Sequence, residues 1–169
     1  MSTIATPEAA AAAATAPAPA TATAHATATN TPGEIVAVRA QALDTFGRFL
    51  VSARQHHFIS DTRSSAGGPG DAVQAGELLL AALASCGLGL VQKEAVERGV
   101  ALRSAQVEVS FERDPEDRTR YAALRLAFVV SGVDDSTAAL LLEAFTGACP
   151  IYNTLRRGGP IEARISVAA

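Results

Sequence analysis

The sequence predicts an α+β domain in which antiparallel sheet wraps one long central helix. Three observations carry that expectation. A near-continuous apolar run, Leu78 to Leu90, leads into an amphipathic segment that stops at Gly99. Apolar and polar side chains alternate at Val107–Glu112, Leu124–Phe128 and Ile161–Val167, the pattern of antiparallel strands that cover a core with one face. The 169 residues, 49% hydrophobic, are enough for one domain with one real core.

Taken in order, residues 1–33 read as a disordered tail, because Ala9 to Ala28 is mostly Ala, Thr and Pro and has too little apolar bulk to offset the entropy of ordering. The folded domain is expected over residues 34–169. Ile35–Val38 and Phe49–Val51 read as strands around the turn Asp44–Gly47, with a third at His57–Ile59. After the loop Gly67–Gly70, Asp71 is placed to cap a helix that starts near Ala72 and ends at Gly99, a residue that tolerates the left-handed end conformation. Its second half carries Lys93/Glu97 and Glu94/Arg98 at i,i+4 spacing on a solvated face. The charged turn Arg113–Arg118 makes a hairpin of the next two strands. Asp134 or Asp135 then caps a helix through Leu140 to Phe145, and Pro150 opens a short further helix with Cys149 at or beside its N-cap.

Composition excludes several function classes. A net charge of −3 with one lysine and scattered arginines is not a nucleic-acid footprint. His25, His56 and His57 with two cysteines do not form zinc-ligand spacings, and two cysteines are too few for a secreted disulfide scaffold. No Lys or Arg precedes Arg39, so the start lacks the basic region of a secretory signal. The 14 apolar residues Leu78–Val91 fall short of a bilayer span. A reducing, cytoplasmic setting is expected.

Leu78 to Leu90 is apolar on every side, so it must be buried on every side. Two such helices paired in a symmetric homodimer, with an interface above roughly 2,000 Å², would supply that cover; the alternative is the chain's own sheet and second helix. Gly87 and Gly89 cost helix stability, about 1 kcal/mol each, which either tight packing against a second helix or close approach of a backbone or ligand to Cys86 can offset.

The two cysteines invite a redox reading, against the plainer one of small buried hydrophobes. A thiolate at Cys149 is favoured by the positive end of its helix, whereas Cys86, mid-helix and apolar, needs a neighbouring cation. Arg54, Arg63, Arg156 and Arg157 are the candidates. A thiolate paired with Arg in an apolar pocket suits an uncharged apolar electrophile.

Gly67-Gly68-Pro69, then Gly76 to Cys86, and Ala148-Cys149-Pro150-Ile151 some sixty residues on, resemble the OsmC/Ohr family of thiol peroxidases over roughly Arg54 to Val167. The resemblance implies an OsmC-like fold and an intertwined homodimer with two long helices at its centre. It implies reduction of organic hydroperoxides, with Cys86 peroxidatic and Cys149 resolving through a Cys86–Cys149 disulfide. A dithiol or lipoylated-protein reductant recycles the pair, without a bound metal or organic cofactor. One departure stands out: the family's Asn-Pro-Glu ahead of the cysteine reads Gln74-Ala75-Gly76 here. The nearest carboxylate, Glu77, points to the opposite helix face from Cys86 and suits a first-turn acid, with service across a dimer as its alternative role. Arg63 in Asp61-Thr62-Arg63 is the preferred match for the family's arginine, and Arg54 the alternative. His56 and His57 read as strand residues. The competing reading keeps the fold but not the chemistry: a non-catalytic dimeric binding module for a small apolar or thiol ligand.

Overall fold

The computed structural model describes residues 33–167, so most of the expected tail, up to residue 32, lies outside the described residues. Contacts separate the chain up to Val36 from a folded unit that begins at Ala37. Its elements are β1 (Val38–Ala42), β2 (Arg48–Ala53), β3 (His56–Asp61), a 3-10 turn at Ser64–Ala66, α1 (Ala75–Glu97), β4 (Ser104–Arg113), β5 (Tyr121–Ser131), α2 (Asp135–Ala148) and α3 (Pro150–Arg157). The first three strands form one antiparallel meander and β4–β5 a second, two-stranded sheet. The α+β architecture agrees with the expectation.

The first strand lies further along than its apolar run suggests. Leu43 N–H donates to the Arg48 carbonyl at 3.0 Å and Arg48 N–H to the Thr45 carbonyl at 3.1 Å. That turn sets the register at Ala42 opposite Phe49, so the ladder uses residues 38–42 and not Ile35–Val38. Turn geometry, not apolar content, fixes hairpin register.

The start of α1 also differs from expectation. Asp71 is no helix cap; its carboxylate meets Arg48 at 3.3 Å, and its N–H and that of Ala72 each donate to Asp61 at 3.0 Å. Asp61 N–H and the Ser60 hydroxyl hold the Val73 carbonyl at 3.1 and 2.8 Å. With residues 71–73 tied to the end of β3, the helix begins at Ala75 with Gln74 as N-cap, whose N–H donates to the Glu77 carboxylate at 2.8 Å. Gly99, at φ 69°, ends it as expected. The ion pairs Lys93–Glu97 and Arg98–Glu94 form at 2.9 and 2.6 Å.

Of the two candidate caps for α2, Asp134 does the work, accepting from Thr137 N–H at 2.8 Å, while Asp135 sits in the first turn. The core is Val91 and Ala95 of α1, Leu141 and Phe145 of α2, and Cys149, with Leu126, Phe128 and Val130 of β5 against it. The Phe145 ring tilts against Phe128 and Tyr152, both at 5.2 Å.

At 23 residues α1 is long and apolar enough to cross a bilayer by length and composition, where its apolar run alone reads as too short. Leu83, Gly87, Val91 and Ala95 form its buried stripe, the i,i+4 spacing of a helix packed along one side. Leu78, Leu79, Leu80 and Leu88 are only half-buried. The described residues of one chain therefore do not supply the all-round cover that this helix calls for.

The strand expected at Ile161–Val167 is absent. These residues are irregular, and Ile161, Ile165 and Val167 are more than nine-tenths exposed. Alternation makes one apolar face, but a strand also needs a ladder partner, and this chain offers it none among the described residues.

Candidate active site

The two cysteines come from different elements and meet where α1 passes the α2–α3 junction. Cys149 closes α2 and opens α3 at once. Its N–H donates to the Phe145 carbonyl at 2.9 Å as the last cap of α2, and its extended backbone suits a residue followed by Pro150 at the first position of α3. Its sulfur, fully buried, accepts from Tyr152 N–H at 3.4 Å, which makes it the N-cap of α3 as expected. Asn153 clamps this corner, its side-chain amide donating to the Thr146 and Cys149 carbonyls at 3.0 Å each.

Cys86 sits in the middle of α1, half-buried against the same core. Burial pushes its thiol up to about 11, and a hydrogen bond with Cys149 and the charge that Cys149 can carry add to the rise. The Ile151 N–H, donating to the Cys86 sulfur, acts the other way. The first turn of α3 thus sets the Tyr152 N–H on the Cys149 sulfur at 3.4 Å, with the Ile151 N–H on the side of Cys86. Such a turn carries a partial positive charge that favours sulfur anions.

The other sequence candidates are not brought to this point. No arginine acts on the Cys86 thiol among the described residues. Arg54 occupies the turn between β2 and β3 at φ 56°, exposed. Arg63 precedes the 3-10 turn and faces the β4–β5 hairpin across a cavity shared with Arg113, Arg118 and Arg120. Arg156 and Arg157 lie in the last turn of α3, at the end away from Cys149. Glu77 is held in the α1 cap, nine residues or about 13 Å along the helix from Cys86. His57 pairs with the Ser52 hydroxyl at 2.8 Å on an exposed strand, and His56 is exposed.

Two features of the site's surroundings carry no local signal in the sequence. Arg48 and Asp61, directly opposite in the β2–β3 register, form a two-pronged ion pair at 2.9 Å for each prong. Hydrogen bonds from Arg48 foremost, then from the Ala72 and Asp71 N–H groups, hold the Asp61 carboxyl well below the usual range against the opposing effect of burial. This pair anchors the segment that leads into α1. Only strand register reveals it, since the two residues are thirteen apart in a hairpin. The second feature lies at Gly76, where the resemblance expects a glutamate. A Cβ built on Gly76 would stand 3.0 Å from both the Phe111 ring and the Tyr121 hydroxyl. Those two rings stack at 4.1 Å. A side chain at this position would have to push the half-buried Phe111 and Tyr121 side chains aside by a few tenths of an ångström.

Comparison with known proteins agrees with the fold. The OsmC-like protein family model matches residues 68–164, more than half of the chain, and the protein belongs to that family. Among solved structures it is similar to an OsmC-like protein from Mycoplasma pneumoniae, at 18% identity and a TM-score of 0.61 over 73% of this chain and 89% of that one. An organic hydroperoxide resistance protein OsmC from Legionella pneumophila matches at 19% and 0.54 over 75% and 92%. An organic hydroperoxide resistance protein from Elizabethkingia anophelis, solved with thiocyanate bound, matches at 15% and 0.59 over 74% and 90%. At these identities the likeness is one of fold. Comparison with curated proteins returns no match.

Proposed function

We propose that this protein is a thiol peroxidase that reduces organic hydroperoxides through Cys86 and Cys149 in a reducing, cytoplasmic setting. The observation that carries the reading is the meeting of the two thiols where α1 passes the α2–α3 junction, with the Tyr152 N–H donating to the Cys149 sulfur. The Cys86 thiolate attacks the terminal peroxide oxygen; the O–O bond breaks, the alkoxide leaves and takes a proton, and Cys86 becomes a sulfenic acid. Cys149 then displaces hydroxide from that sulfur, giving a disulfide and water. A dithiol, free or as a lipoylated protein, reduces the disulfide by two successive exchanges. The hydroperoxide-resistance names of two structural relatives support the substrate class.

A homodimer belongs to the same proposal. The half-buried leucines of α1, the exposed apolar face of the first sheet at Val38 and Phe58, and the segment Ile161–Val167, which has no ladder partner among the described residues, are surfaces that a second copy would cover. A thiol at about 11 leaves only about one molecule in ten thousand as thiolate at neutral pH. Within one chain neither Arg63 nor Arg54 stands beside it, so thiolate support from either residue, or a role for Glu77 there, requires the second copy.

The protonated Cys86 and the aromatic filling beside Gly76 favour the second reading, a dimeric module that binds a small apolar or thiol ligand without turning it over. Mass spectrometry after one equivalent of cumene hydroperoxide separates the two. The peroxidase reading expects a Cys86–Cys149 disulfide in the wild type, a sulfenic or further oxidised Cys86 in Cys149→Ser, and no peroxide consumption in Cys86→Ser. Thiols left unmodified, or oxidation first at Cys149, refute it.

A further inference from the structure

At the tip of the β4–β5 hairpin, a cavity of about 270 Å³ is lined by Arg63, Arg113, Asp114, Pro115, Arg118 and Arg120. Four arginines from two segments remote in sequence face one aspartate, in a chain whose net charge is −3. That aspartate is already engaged. Asp114 accepts Arg120 at 2.7 Å and the N–H groups of Glu116 and Asp117 at 2.9 and 3.0 Å, which stiffens the turn. Arg63, Arg113 and Arg118 have no carboxylate partner among the described residues. Arg113 is held instead over the Phe111 and Tyr121 rings, 5.2 and 5.9 Å from their centres.

We infer that this cavity binds a phosphorylated small molecule. Guanidinium forks match the oxygens of phosphate two at a time, and three of them without a carboxylate call for more charge and more acceptor oxygens than the one Asp114 carboxylate carries. A phosphomonoester offers up to two charges and three free oxygens. The volume, close to the lower end of the range for small-ligand pockets, leaves room for a small organic group beside the phosphate. Concavity also favours a small ligand over an acidic protein surface, which would meet a flat patch.

Titration calorimetry of the full-length protein with glycerol phosphate, inorganic phosphate and a polyglutamate peptide tests this. Glycerol phosphate should bind saturably, one per chain, and more tightly than inorganic phosphate. Arg118→Gln should weaken it at least about ten-fold and Arg118→Lys by less, because lysine keeps the charge but not the fork. Arg125→Gln, whose guanidinium pairs with Glu112 at 2.7 Å and does not line the cavity, should leave binding unchanged. No saturable binding up to about 10 mM, a range that covers weak specific sites, overturns the proposal, as does an equal loss in Arg125→Gln. Inorganic phosphate binding as tightly as glycerol phosphate overturns the organic group, and tighter binding of polyglutamate makes the site a protein contact instead.

Discussion

Substituting Gly87 and Gly89 separately by alanine tests how α1 is packed, because the two positions share a helix and differ in their neighbours. A Cβ built on Gly87 stands 2.7 Å from the Phe128 ring tip and 3.5 Å from the Phe145 ring, the first about 0.7 Å short of ordinary contact. Phe145 is 1% exposed, so that side of the space has nowhere to yield. Overpacking of this kind costs about 1–3 kcal/mol, while alanine in place of glycine returns about 1 kcal/mol of helix propensity. Gly87→Ala should therefore lose up to about 2 kcal/mol net, at the upper end a fall in Tm of several degrees for a unit of this size. A Cβ on Gly89 meets nothing within 4 Å among the described residues. Gly89→Ala should gain about 1 kcal/mol where the surface is open to solvent, and lose stability where a second copy packs against it. Urea unfolding at fixed protein concentration, with sedimentation on the same samples, reads both. A gain of about 1 kcal/mol in Gly87→Ala, the full helix-propensity return, would refute the assignment of Gly87 to close aromatic packing.

Two further outcomes follow from titrating groups. Alkylation of Cys86 in Cys149→Ser by a small apolar reagent should climb about tenfold per pH unit above neutrality, because burial keeps the thiol protonated; removal of Cys149 takes away the lesser causes of the rise and leaves burial, so a midpoint below about 8.5, the free-cysteine value, contradicts that placement and signals a cation at the site. Asp61 has its carboxyl lowered in the folded state, so its stabilisation is present above the unfolded carboxylate range near pH 4 and drains away as pH falls below it. Asp61→Asn should lower Tm at pH 7 and flatten the acid limb of the Tm profile measured by circular dichroism; an unchanged acid limb means that other carboxylates control it.

Much of this protein is written in local chemistry. The helix at 75–97, the hairpin at 104–131 and the break at Cys149-Pro150 follow from apolar periodicity, from alternation and from the missing N–H of proline, all of which act within a few residues. Those same features, read as two spaced motifs, place the chain in its family and mark Cys86 and Cys149. The tertiary structure alone decides what lies between remote residues. It sets Asp61 opposite Arg48 and so moves Asp71 from helix cap to ion-pair partner, it wedges Phe111 and Tyr121 against Gly76, and it gathers four arginines at a hairpin tip. Ile161–Val167 shows the limit from the other side: its alternation specifies an apolar face, yet a strand exists only where a neighbour completes its hydrogen bonds, and pattern within one segment carries no information about that neighbour.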